Sequence, residues 1–205
     1  MGCYKFCACI LIFLSQTALA SSFDVNATLR LSAFDASARR LLLCDEGGEI
    51  RLFDTTKFEI KFTQKYSDNE ISALALLGGK IYLAFAGPEI IVLDGKLKFL
   101  KALKAAQGET AQIDAIYAVQ DEIYAVANKN ELIKFDPGSD APRKISLGHG
   151  RINALSSSAE GLCLAGWSKD VICLDKELKF SRKFQGGAIG TALAYCDGDD
   201  AFYLG

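Results

Sequence analysis

The chain repeats itself about every forty residues, and that period narrows its folds more than any other feature. Four segments end in a hydrophobic-Asp step: EIRLFD at 49–54, EIIVLD at 89–94, ELIKFD at 131–136 and DVICLD at 170–175. Their closing residues, Asp54, Asp94, Asp136 and Asp175, are separated by 40, 42 and 39 positions. A second, independent anchor reads LSAF from Leu31, ISAL from Ile71, IDAI from Ile113, INAL from Ile152 and IGTA from Ile189. Its intervals are 40, 42, 39 and 37. Two anchors sharing one period are the signature of a stacked repeat architecture.

Inside each unit the pattern is constant. An apolar run such as ISALALL (71–77) meets a Gly78-Gly79 turn and is followed by KIYLAFA (80–86). A second turn at Gly87-Pro88 leads into EIIVLD and then a fourth segment. In the first unit that fourth segment is KFEIKF (57–62), where Phe58, Ile60 and Phe62 alternate with charged residues. Continuous apolar runs mark strands buried on both faces, and period-two alternation marks a half-exposed edge strand. Short strands broken by turns roughly every ten residues and repeated every forty predict an all-β fold, a β-propeller of four-stranded antiparallel blades. One segment resists: KLKFLKALKAA (96–106) has helical spacing at Leu97, Leu100 and Leu103, and the repeat register assigns it to a strand nonetheless.

The unit from Gly148-His149 through INAL and AEGLCLAGWSKDVICLD (159–175) resembles the WD-repeat family, with its Gly-His dipeptide, inner strand, small-residue strand and closing Asp. The family's closing tryptophan is replaced by Phe53, Leu93, Phe135 and Leu174, and Gly-His occurs once, which points to a divergent bacterial propeller. The resemblance covers about residues 29–205. Repeats fall near 31–70, 71–112, 113–151 and 152–188, with an incomplete one at 189–205, about four and a half blades. The expectation is a fragment of a larger ring, because an open propeller end exposes a sheet edge. The alternative is a small ring whose fifth blade is completed by FDVNATLRL (23–31).

The first twenty residues read as an address. A weakly positive start, the apolar run FCACILIFL (6–14), and Ala18-Leu19-Ala20 before Ser21 form a signal peptide cleaved after Ala20. Nine apolar residues are too few to cross a hydrocarbon layer of about 30 Å, so no membrane span is expected once the signal is removed. The propeller domain is then 21–205, periplasmic, or secreted if the organism is not a diderm bacterium. Four cysteines remain, Cys44, Cys163, Cys173 and Cys196. An even count in an oxidising compartment permits two bridges. The favoured reading is of small apolar strand residues, with Cys163 and Cys173 facing each other across one hairpin as the alternative. Asn26, in Asp24-Val25-Asn26-Ala27-Thr28, is a candidate glycosylation acceptor.

Chemistry-bearing patterns are sparse. A net charge of −2 carries no basic surplus for nucleic acid, and one histidine excludes a multi-histidine metal site. His149 has no ligand partner at metal spacing, and the glycine pairs are turns without a phosphate-binding pattern. The four closing aspartates are expected to cap the turns that follow them by accepting backbone N–H bonds. Neither a catalytic constellation nor a cofactor or metal site is expected. Loop residues remain: Tyr66, Asp68, Gln107, Glu109, His149, Arg151, Trp167 and Lys169. Of these Trp167, Tyr66, Arg151 and Lys169 are the candidate protein-binding residues, because aromatic and arginine side chains on rigidly mounted loops make interface anchors. The expectation is an exported, non-enzymatic scaffold or assembly factor with a protein partner. In export signal, degenerate repeats and size the chain is similar to the periplasmic propeller accessory proteins of nitrate-reductase gene clusters (NapL type), which implies a periplasmic redox enzyme or its maturation factors as partner. The alternative is a quinoprotein-like or other ligand-binding propeller enzyme. Quinoprotein blades repeat tryptophan motifs, and this chain has one Trp. Carbohydrate binding would repeat exposed aromatics in register, and Tyr66 and Trp167 do not recur.

Overall fold

Each apolar run of the repeat is a strand in the computed structural model, which describes residues 28–35, 38–105, 111–119, 121–135, 142–146, 150–158, 161–187, 189–196 and 201–205. Among the described residues every regular element is a strand, and the four complete sheets are four-stranded antiparallel meanders. No helix among them is long and apolar enough to cross a membrane. The signal segment and Asn26 lie outside the described residues, as do Gln107, Glu109, Asp136 and His149. The chain divides into two compact units, residues 1–70 and 71–205.

The first unit holds β1 (Leu29–Asp35), β2 (Arg40–Asp45), β3 (Glu49–Asp54) and β4 (Glu59–Lys65), ordered as in the sequence. Leu29 to Leu31 pair with β2, so the described part of the FDVNATLRL segment belongs to the first sheet and not to a closing fifth. Leu42, Leu43, Cys44, Ile50, Leu52 and Phe53 are buried, while β4 is exposed along nearly its whole length. Gly48, at φ 75°, is required where it stands, since a Cβ there would lie 3.1 Å from Ser67 O and 3.2 Å from Asn69 O.

The second unit holds three full sheets and a two-stranded one. They are β5 (Ile71–Leu77), β6 (Lys80–Phe85), β7 (Glu89–Leu93) and β8 (Phe99–Lys104); β9 (Ile113–Val119), β10 (Glu122–Ala127), β11 (Glu131–Phe135) and β12 (Arg143–Ser146); β13 (Ile152–Ser158), β14 (Gly161–Gly166), β15 (Asp170–Asp175) and β16 (Phe180–Gln185); and β17 (Leu193–Cys196) with β18 (Ala201–Leu204). The continuous apolar runs have a direct cause in the stacking of these sheets. Along β10, Ile123, Ala125 and Ala127 join the cluster shared with β5–β7, and Tyr124 and Val126 join the cluster shared with β14 and β15. On β14, Leu162 and Leu164 face the same cluster as Tyr124, whereas Cys163 and Ala165 face Leu193, Phe202 and Leu204. A strand apolar on both faces is what a sheet sandwiched between two others requires.

The second anchor also acquires a cause. Its second residue is polar in the first four units; Ser72 and Asn153 reach the backbone of the next unit, and Asp114 holds the β10–β11 turn of its own sheet. Ser72 Oγ donates to Ile113 O (3.0 Å), Asn153 Nδ2 donates to Gly190 O (2.9 Å), and Asp114 Oδ2 accepts from Lys129 N (2.6 Å). The closing aspartates cap the next turn. Asp54 Oδ1 accepts from the N–H groups of Thr56 and Lys57, Asp94 Oδ1 from Lys96 and Lys98, and Asp175 Oδ1 from Glu177 and Lys179, all at 2.8–3.1 Å. In the last two turns the residue between is a buried leucine held at positive φ, Leu97 (64°) and Leu178 (62°). The segment with helical spacing is therefore a turn and a strand. Leu97 fills the turn, Leu103 packs inward, and Leu100 is exposed on β8.

One expectation is corrected. The cysteines of the fourth sheet are not simply small apolar residues: Cys163 and Cys173 are register partners on β14 and β15, with Cα atoms 4.1 Å apart, and are bridged. Directly opposed residues on antiparallel strands come close enough for a bridge without backbone movement. Cys44 is free and buried, and burial, aided by the neighbouring Asp45 carboxylate, pushes its thiol up to about 11. In the last unit Thr191 and Ala192 already bond to Gly205 ahead of the regular strand. Gly190 N donates to Gly166 O of the preceding turn, and the strand ladder begins at Leu193.

Candidate functional site

The β14–β15 hairpin is bridged near its base and carries Trp167, Ser168 and Lys169 at its tip. The tip is a three-residue turn whose last member, Lys169, has φ 60°. That is the left-handed conformation in which such hairpin loops commonly end, and where glycine is the unstrained choice. Backbone hydrogen bonds clamp the turn from three directions. Trp167 N donates to Arg151 O (3.0 Å), Gly186 N to Lys169 O (2.9 Å) and Gly190 N to Gly166 O (3.2 Å).

Three glycines stand at the tightest approaches of this clamp. A Cβ on Gly166 would stand 1.9 Å from Arg151 O, one on Gly186 2.8 Å from Lys169 O, and one on Gly190 2.8 Å from Ala165 Cβ. In register, Gly166 takes the place of Phe85 and Ala127 in the two preceding sheets. The entering segment meets the turn by the same kind of backbone bond in other sheets, Asn128 N to Gln112 O and Glu46 N to Thr28 O, and at Gly166 the approach leaves no room for a side chain.

The result is a rigid turn that displays Trp167 with 60% of its surface exposed. Arg151 and Lys169, both exposed, flank it, and exposed Ile189 precedes the clamping Gly190. Among the described residues neither cation makes an ion pair. The nearest acid in sequence, Asp170, is taken by Lys183 (2.6 Å). The structure thus brings Trp167, Arg151 and Lys169 together. Tyr66 lies in the first unit, half-buried after β4, beside exposed Asp68, which pairs with Lys65 (2.8 Å). Sequence reading missed Gly166, Gly190 and Ile189. The sequence carries one signal for the first of them: a glycine where the two preceding units carry Phe and Ala.

A cavity of about 150 Å³ between β9–β10 and β14 is lined in part by Glu122, Tyr124, Asp175 and Leu178. It is small beside ordinary ligand pockets. Burial raises the Glu122 carboxyl, but hydrogen bonds from Lys134 and from the Tyr124 hydroxyl outweigh it and hold the group below its usual value. Asp175 is engaged by turn amides. No group of three or more His, Cys, Asp or Glu among the described residues is placed to hold a metal.

No family model matches the sequence, and no curated protein matches it. Solved structures do. The chain superposes on Chaetomium thermophilum Raptor with a TM-score of 0.67 at 13% identity, covering 80% of this chain and 16% of that one. It superposes on the dihydro-heme d1 dehydrogenase NirN, in complex with DHE, with a TM-score of 0.67 at 13% identity, covering 82% of this chain and 40% of that one. Both neighbours are propellers. The fold is a β-propeller. This chain spans less than half the length of either neighbour, and identities this low speak to the fold alone.

Proposed function

We propose that this protein is an exported, non-enzymatic β-propeller that binds another protein through the Trp167 turn, serving as a scaffold or accessory factor for a periplasmic redox enzyme such as nitrate reductase. One observation carries the reading: a mostly exposed tryptophan, fixed by backbone clamps on a bridged hairpin and flanked by two cations that no described acid neutralises. Tryptophan and arginine dominate the energetics of protein interfaces, and a pre-ordered anchor avoids most of the entropy cost of docking. The export signal at 1–20 supports the compartment, and a bridge between Cys163 and Cys173 suits an oxidising one.

The test is affinity capture of the tagged protein from its native envelope fraction, with Trp167→Ala captured in parallel and the recovered proteins identified by mass spectrometry. Stoichiometric recovery of a redox enzyme or its maturation proteins with the parent, and their loss with Trp167→Ala, is the expected result. Identical partners from both baits would remove Trp167 from the interface. Uptake of a quinone by the purified protein would move it to the enzyme class.

A further inference from the structure

The charge around the Trp167 turn specifies its partner more narrowly, on the reading that this turn is an interface. We infer that the turn receives an acidic segment of the partner protein, a stretch of Asp and Glu carrying at least one apolar side chain. The chain as a whole is slightly acidic, with net charge −2, yet here two cations stand against one exposed indole and the adjacent Asp170 is already paired. Arg151 and Trp167 are joined directly through Trp167 N and Arg151 O, and Lys169 is two residues further along the same turn. Their positions are therefore set by backbone and not by flexible stems alone.

Each part has a chemical counterpart. A guanidinium offers a planar fork of donors that matches a carboxylate bidentately, and an ammonium offers a point charge to a second one. The indole face and neighbouring Ile189 offer apolar area to an aliphatic or aromatic residue between the acids. A neutral peptide would leave both cations uncompensated, and a basic one would meet like charge. A polynucleotide is the weaker fit, since its affinity grows with the number of phosphates neutralised and this turn supplies two cations.

Trp167 is the sole tryptophan in the chain, so indole fluorescence reports this site alone. The purified protein is titrated with a short labelled peptide of Glu, Asp and Leu, with its Gln/Asn counterpart, with its Lys counterpart and with an oligodeoxynucleotide of equal charge. Binding is followed by indole fluorescence and by anisotropy of the label. Saturable binding of the acidic peptide alone, weakened by added salt, is expected. Arg151→Ala with Lys169→Gly should raise its Kd about tenfold or more, and Trp167→Ala about thirtyfold. Lys169→Gly is chosen because glycine fits the positive φ at 169, so lost binding is separated from lost folding by an unchanged melting temperature. Equal affinity for the Gln/Asn peptide, equal affinity for the oligonucleotide, or binding indifferent to the two cation substitutions each overturns the inference. If the acidic peptide fails while Trp167→Ala still abolishes capture of the native partner, the interface stands and only its acidic character is wrong. If both fail, the interface falls with it.

Discussion

Breaking the Cys163–Cys173 bridge should destabilise the protein measurably, and the size of the effect follows from its place in the chain. The bridge closes a loop of ten residues. In the chain-entropy account, such a loop restricts the denatured ensemble by about 2.7 kcal/mol. For a chain of this length that corresponds to a fall in melting temperature of about 5–10 °C. The assay is thermal denaturation of the same preparation with and without a phosphine reductant. Bridge formation is checked first: trypsin cuts after Lys169, so the peptides 152–169 and 170–176 stay joined only through Cys163 and Cys173. A linked pair confirmed by mass spectrometry, together with a melting temperature that reduction leaves within about 1 °C, would refute the reasoning. It would mean that the β14–β15 hairpin stays closed in the denatured chain without the bridge.

Gly166→Ala should cost about 3 kcal/mol or more, because its Cβ would collide with a backbone carbonyl, Arg151 O at 1.9 Å, which has no flexible end to move aside; the melting temperature and the emission maximum of Trp167 report it together. Leu97→Ala should cost about 2–5 kcal/mol as a cavity substitution, and Leu97→Gly no more than that, since glycine relieves roughly 1 kcal/mol at φ 64°; chemical denaturation of both variants decides, and a clearly less stable glycine variant would contradict the turn assignment. The Asp54 carboxyl is held down at about 2 by the Lys61 hydrogen bond and by turn amides, and that of Asp94 is lowered by the amides of Lys98 and Lys96. Folded values below unfolded ones contribute stability that is complete above about pH 4 and is lost as pH falls toward 2; the denaturation midpoint should drop over that window and flatten in Asp54→Asn. Cys44, buried with its thiol raised to about 11, should resist alkylation in the native protein and react after unfolding, as read by mass mapping of the 41–51 peptide.

Much of the fold was legible because repeats expose their own grammar. The alternation of Phe58, Ile60 and Phe62 marked an edge strand, and the run from Ile81 to Phe85 a buried one; the sheets follow that division, although the first edge strand spans Glu59–Lys65 and Phe58 sits in the turn before it. The closing aspartates were readable as turn caps because a carboxylate two to four residues ahead of free amides has one obvious local use. Where local sequence alone was ambiguous, the deciding partner was distant. The spacing of Leu97, Leu100 and Leu103 satisfies a helix until β7 offers an edge for pairing. The two cysteines look like ordinary strand residues until register sets them opposite each other.

The candidate site divides in the same way. Trp167, Arg151 and Lys169 were recognisable as loop residues of the right chemistry, but Tyr66 looked equivalent, and the chain order shows no contact between positions 151 and 167. Strand period, repeat length and turn chemistry are local, and local sequence determined them. Which face of each strand meets which neighbour, which cysteines join, and how backbone segments close around one turn at three glycines depend on contacts between residues far apart in sequence. Those were decided by the stacking of the sheets, where burying both faces of every inner strand brings distant segments within hydrogen-bonding distance.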